Sequence, residues 1–119
     1  MHPTPFAVSS ETIEDDIRAF TVRGELDMST APELERELEA ALAESGTSVM
    51  LDLCECEFID STGIALIVRS WQRLNEADDR SLVLCGINHQ VRRLLKITGV
   101  EGSISLHEGR DAALAELRD

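Results

Sequence analysis

The residues best placed for chemistry stand in one short run, Phe58-Ile59-Asp60-Ser61-Thr62-Gly63, between a strand-like and a helix-like apolar stretch. Open α/β sheets place ligand and active sites at junctions of that kind. A serine at such a helix N-terminus has two readings. As an N-cap, its oxygen accepts an orphan backbone N–H and contributes about 1 kcal/mol; Asp60 or Ser61 can fill that role. As a phosphoryl acceptor, it would gain about 1.5 to 2 negative charges at neutral pH. The free N–H groups and positive dipole end of the helix favour an anion there.

Two features favour a regulated contact surface. Glu25 and Asp27 precede the first helix on a loop expected at the same end of the sheet, and Asp60 adds a third carboxylate. Like charges brought together across an interface cost several kcal/mol, so one added phosphoryl group would be felt. The first helical turn, Ile64-Ala65-Leu66-Ile67, is apolar all round. A helix with one face on a sheet should be polar on the other. Leu66 falls outside the inner stripe of Ile64, Ile67, Val68 and Trp71, so it is expected beside Ser61 on a partner surface; a deeply buried first turn is the alternative.

A serine nucleophile needs a base within hydrogen-bond reach and an oxyanion site. His2 sits in an N-terminal stretch, residues 1–5, expected to be flexible; His89 and His107 are isolated, and no Gly-x-Ser-x-Gly elbow exists. The chain therefore reads as a binding protein and not an enzyme, with no catalytic residues. Cys54 and Cys56 are separated by one residue, where structural zinc sites use two to four, and no Cys/His partners follow. With Cys85 they read as free thiols near a sheet edge, in a reducing compartment. No metal is expected. Nor is a cofactor, since there is no Gly-x-x-x-x-Gly-Lys-Ser/Thr phosphate loop. Arg92, Arg93 and Lys96 form a basic cluster, read as the solvated face of a helix or as a contact for a phosphate or an acidic partner.

The elements that must hold Ser61 follow from periodicity. Phe6 to Ser10 and Ile17 to Glu25 read as strands, with a turn at Glu14-Asp15-Asp16. Thr30 and Glu33 have capping-box spacing and Pro32 suits a first helical turn. Leu34, Leu38, Ala41 and Leu42 continue that helix, and Gly46 is the expected C-cap. Ser48 to Leu53 reads as a central strand and Cys54 to Glu57 as a polar loop. A helix from Ser61, a strand over 81–85, a helix around Val91 to Leu95, a short strand at Ile104 and Leu106, and a helix over 111–117 complete the chain. Strands alternating with helices predict an α/β fold: a mixed, mostly parallel sheet of about five strands with about four helices.

The 119 residues suit one domain, 1–119, with 43% hydrophobic residues to fill its core. Acidic residues outnumber basic ones by 23 to 11, and the net charge of -12 argues against nucleic acid and anionic membrane as partners. No apolar run approaches the roughly 20 residues that span a bilayer. The first residues lack the basic and apolar regions of a signal peptide, so a cytoplasmic location is expected.

Gly24-Glu25-Leu26-Asp27, Val49-Met50-Leu51-Asp52-Leu53 and Phe58-Ile59-Asp60-Ser61-Thr62-Gly63, in that order, resemble the STAS domain, above all the bacterial anti-sigma factor antagonists. Gly86-Ile87-Asn88, Val91-Arg92-Arg93-Leu94-Leu95 and Gly99 fit the same pattern, which extends from about Phe6 to Leu117. The resemblance implies a binding protein whose unphosphorylated form takes up an anti-sigma factor serine kinase and frees the sigma factor. It implies phosphorylation of Ser61, which ends the complex, and a metal-dependent serine phosphatase that reverses it. Thr62 stands where many members have a second serine and is the lesser acceptor. The implied contact face comprises Asp27, Asp60, Ser61, Thr62, Gly63, Ile64 and Leu66. ATP and magnesium would belong to the kinase. The alternative within this resemblance is an unswitched STAS interaction subunit of a transporter or stress-signalling complex.

Overall fold

The computed structural model describes residues 4–14, 16–77, 79–99 and 102–118. In chain order the elements are β1 (Ala7–Glu14), β2 (Ile17–Leu26), α1 (Ala31–Ala43), β3 (Ser48–Ile59), α2 (Ser61–Asn75), β4 (Leu82–Cys85), α3 (His89–Thr98), β5 (Ser105–His107) and α4 (Arg110–Arg118). The five strands form one sheet in sequence order. β1 and β2 pair antiparallel; every later neighbour pairs parallel. Parallel neighbours need crossovers, which α1, α2 and α3 supply. The α/β fold with a mostly parallel sheet is thus as expected. β1 runs further than Ser10, and of its turn Asp15 lies outside the described residues, as do residues 1–3 of the stretch expected to be flexible.

Successive side chains of a strand point to opposite faces, which sorts the core. From β3, Val49, Leu51 and Leu53 pack with α1, α2 and α3, while Met50 turns to the other face. There α4 places Ala113 and Leu114 against Ile17, Ala19, Val83 and Cys85. The first face holds most of the apolar side chains, including fully buried Phe20, Leu26, Leu34, Leu38, Ile59, Ile67 and Leu74.

Two local expectations are corrected. Cys54 to Glu57 is no loop, because β3 continues to Ile59. The pairing with β2 shifts register between Thr21 and Arg23 and again between Gly24 and Glu25, so β3 carries extra residues as bulges. The bulges break the alternation that marks a strand. Cys54 and Cys56 therefore lie on the central strand, with Cys54 exposed and Cys56 and Cys85 buried. Gly46 does not cap α1: the cap is Glu44, and Gly46 follows at φ 76° in the turn. The last turn of α1 has no basic residue of its own. Arg80 supplies one from afar, donating to the carbonyls of Ala41 (3.1 Å), Leu42 (3.1 Å) and Thr47 (2.8 Å).

α4 is tied to the sheet by charge as well as by packing. Asp52 is buried, and its Oδ2 accepts from Arg110 at 3.1 Å while Oδ1 accepts the Cys54 N–H at 3.0 Å. Arg110 also pairs with Glu11 of β1. Burial pushes the Asp52 carboxyl up, but the hydrogen bonds from Cys54 and the Arg110 charge outweigh it and hold the group below its ordinary value. Asp27 is lowered too, chiefly by its hydrogen bond from the Ser29 side chain. A carboxyl whose folded pKa is depressed stabilises the fold above its unfolded pKa and loses that contribution as pH falls through the folded value. Thermal melts should therefore be level between about pH 7 and about pH 5 and fall below about pH 4. Asp52→Asn should lower stability at neutral pH by about 1–3 kcal/mol, since Arg110 loses its buried partner, and should flatten the acid decline.

Candidate functional site

β2 and β3 run parallel, so their C-terminal ends meet at one edge of the sheet, with Leu26 paired to Ile59. The chain leaves that edge in two places. One exit is the segment Asp27 to Thr30 before α1; the other is Asp60 and the start of α2. The Asp60 N–H donates to the Leu26 carbonyl at 3.1 Å, which locks the two exits side by side.

Asp60 is the N-cap of α2. Its Oδ1 accepts the Gly63 N–H at 2.9 Å, and its Oδ2 accepts the Met28 N–H at 3.0 Å. One carboxylate therefore fixes both the helix start and the neighbouring loop. Asp27 organises that loop, with Oδ1 accepting the Ser29 N–H (3.0 Å), the Ser29 hydroxyl (2.8 Å) and the Thr30 N–H (3.1 Å). Thr30 makes no side-chain cap bond, so the expected capping box with Glu33 is not formed. Its Oγ1 accepts the Asp27 N–H instead and donates to the Glu25 carbonyl, both at 2.8 Å. The Glu33 N–H goes to the Thr30 carbonyl at 3.0 Å, and the Asp27 carboxylate closes the turn ahead of the helix by taking the N–H groups two and three residues on.

Gly63 is required by close approach. A Cβ there would lie 2.8 Å from both Ile59 Cγ2 and Leu26 Cγ and 2.9 Å from the Leu26 carbonyl. The first turn of α2 is thereby seated directly on the strand ends. The far side of β3 is closed differently, because β4 pairs with it only as far as Asp52. Gln90 of α3 fills the gap: its Oε1 accepts the Ile59 N–H at 3.1 Å and its Nε2 donates to the Ile59 carbonyl at 2.6 Å. Gln90→Leu should cost about 1–3 kcal/mol, read as a shift of the urea midpoint with unchanged slope, because two strand groups lose their partner.

With Asp60 as the cap, Ser61 and Thr62 are exposed on the first turn. None of the hydrogen bonds among the described residues uses the Ser61 hydroxyl, and none joins it to a histidine. His107 faces Glu116 at 2.8 Å, and His89 opens α3. Gly63 and Ile64 are buried. Leu66 corrects the expectation that it lies on the outer surface: it is 4% exposed. α1 packs alongside α2, and Leu66 meets Leu38 and Leu42 there, so the helix has a second buried side. The apolar side chain that does stand out at this site is Met28, 74% exposed in the Asp27 loop. A lone methionine between Asp27 and Ser29, in a polar turn, was the available signal.

The site thus combines an exposed, uncommitted serine hydroxyl, a rigid double-aspartate frame and an adjacent exposed methionine. It offers an exposed surface for contact.

Comparison with known proteins agrees with this architecture. The family model of the STAS domain matches residues 9–113. A protein of Staphylococcus epidermidis named anti-sigma-B factor antagonist is 36% identical over 102 residues, covering 85% of this chain and 94% of that protein. The crystal structure of an anti-sigma factor antagonist from Mycobacterium paratuberculosis superposes with a TM-score of 0.81 at 27% identity, covering 95% of this chain and 96% of that one. The Bacillus cell fate determinant SpoIIAA in its phosphorylated form shares the fold, with a TM-score of 0.77 at 18% identity over 94% of this chain and all of that one. The sheet order, the helix seated on Gly63 and these matches have one common explanation: the chain belongs to the STAS domain family.

Proposed function

We propose that this chain is an anti-sigma factor antagonist. Its unphosphorylated form binds an anti-sigma factor that is also a serine kinase and so releases the sigma factor. Phosphorylation of Ser61 ends the complex, and a metal-dependent serine phosphatase restores it. The protein acts in the cytoplasm and catalyses nothing itself. The observation that carries this reading is the exposed Ser61 hydroxyl on the first turn of α2, freed from capping by Asp60. The name of the relative that is 36% identical over nearly its full length supports the partner class.

The contact surface on this reading is made by Met28, Ser61 and Thr62, while Asp27, Asp60 and Gly63 hold it in shape. Asp60 uses both carboxylate oxygens and Asp27 its Oδ1 on the chain's own donors, so they serve as frame before they serve as contact. A phosphoryl group on Ser61 would stand beside two carboxylates and add about 1.5 to 2 charges. About 3 kcal/mol of repulsion across the interface is roughly a hundredfold in affinity. Incubation with the anti-sigma factor kinase of the same genome and ATP, followed by mass spectrometry, should map one phosphate to Ser61, with Thr62 the lesser acceptor. Phosphate on any other residue removes Ser61 from this role.

A further inference from the structure

Beside Ser61 lies a feature that the phosphorylation switch does not explain. Between α2 and α3 lies an open cleft of about 310 Å³, lined almost wholly by apolar groups. Ile64, Ala65 and Val68 form one wall, Leu94, Ile97 and Thr98 the other, and Ser61 and Arg69 stand at the rim. Ile97 is 75% exposed, one of three large apolar side chains that stand out among the described residues. Met28, another of the three, belongs to the Ser61 face.

The outer face of α3 carries the opposite chemistry. His89, Arg92, Arg93 and Lys96 recur at helical spacing and line one shallow surface. α3 contains no acidic residue. None of the eight ion pairs among the described residues uses Arg92, Arg93 or Lys96, whereas six other side chains (Arg18, Arg23, Arg69, Arg73, Arg110 and Arg118) are paired. In a chain of net charge -12 this is a concentrated local reversal of sign. Arg93 and Ile97 are four residues apart, so they lie one above the other on the helix. An apolar slot thus borders directly on a cationic stripe.

We infer that the α2–α3 cleft and the basic face of α3 together receive an acidic amphipathic helix of the anti-sigma factor. One large aliphatic or aromatic residue of that helix enters the cleft over Ile97, and Asp or Glu residues a turn away face Arg92, Arg93 and Lys96. Helices laid in apolar grooves are read through anchors at such spacing. The flanking charges set orientation and association rate. This inference rests on the proposed function and extends its contact face from Ser61 to α3. It also gives the switch a second lever. A phosphoryl group at the rim would repel the incoming acidic helix and hydrate the mouth of an apolar slot.

The test uses the full chain with the purified anti-sigma factor of the same genome. A photoreactive benzoylphenylalanine is placed at Ile97 in one sample and at Met28 in another, and adducts are mapped by mass spectrometry. Ile97→Ser and the double variant Arg93→Glu/Lys96→Glu are titrated calorimetrically at about 50 and about 300 mM salt, where screening differs. Both variants alter exposed positions, and circular dichroism checks that they fold. The expected result is an adduct from position 97 on a helical segment with neighbouring Asp or Glu. Affinity should fall about tenfold for Ile97→Ser at both salts. For the charge reversal the fall should be about tenfold or more at low salt and smaller at high salt. Adducts from Met28 but none from Ile97, with unchanged affinities, would leave the Ser61 reading standing and overturn the cleft. Adducts from neither position would overturn both. Self-association of the free chain that Ile97→Ser abolishes would assign the cleft to a second copy and overturn the inference.

Discussion

Ser61→Asp is expected to weaken binding to the anti-sigma factor by at least about tenfold while leaving the fold as stable as the parent. The two halves of that expectation have separate causes. Stability should hold within about 0.5 kcal/mol, because Ser61 is exposed and its hydroxyl is not among the groups that cap α2. An acidic side chain in the first turn even suits the helix dipole. Affinity should fall because the new charge stands at the contact face beside Asp60 and Asp27, where an approaching surface must be matched to it. Ser61→Ala should bind like the parent and resist the kinase. Calorimetric titration of the three proteins, with thermal melts alongside, checks both halves. Equal affinities for the alanine and aspartate forms would show that charge at this position is not the switch.

Gly63→Ala should be the most damaging small change near the site, at about 1–3 kcal/mol of stability. A methyl group there meets Ile59 and Leu26 side-chain atoms at 2.8 Å and the Leu26 carbonyl at 2.9 Å. The side chains are fully buried and the carbonyl belongs to a strand end, so none can yield without disturbing the sheet. Relief must come from lifting the first turn of α2. That movement would also lengthen the Asp60–Gly63 bond and carry Ser61 out of line with Met28. Gly63→Ala is therefore expected to lose affinity as well as stability, unlike Ser61→Asp, which loses affinity alone. Urea titration and a binding isotherm on the same sample separate the two cases.

The contrast shows which parts of this molecule are legible from sequence. Alternation in β3 and helical spacing in α1 and α2 are strong signals, and the mixed, mostly parallel sheet follows from their order. The junction at Ser61 was also visible, since a strand, an Asp-Ser-Thr-Gly run and a helix follow one another directly. What could not be read was the work of distant partners. Arg80 completes the end of α1 from across the chain, so a local C-cap at Gly46 was unnecessary. Gln90 stands in for a missing strand at Ile59, which allows β3 to run on through a polar, bulged segment. Leu66 is surplus only on a helix with one partner, and α2 has two: the sheet below and α1 at its side. Met28 lies in a turn with no periodicity to place it, and its exposure follows from the Asp60 carboxylate that holds its N–H.

One charge at Ser61 is expected to change binding without changing the fold. The most direct measurement compares the full chain before and after stoichiometric phosphorylation by the kinase. Both forms are titrated with the same anti-sigma factor, and backbone amide spectra are recorded for each. The expected result is an affinity loss of about a hundredfold, with spectral changes confined to the Asp27 loop and the first turns of α2. Undiminished affinity in the phosphorylated form, or amide shifts spread through the buried strands β3 and β4, would contradict it.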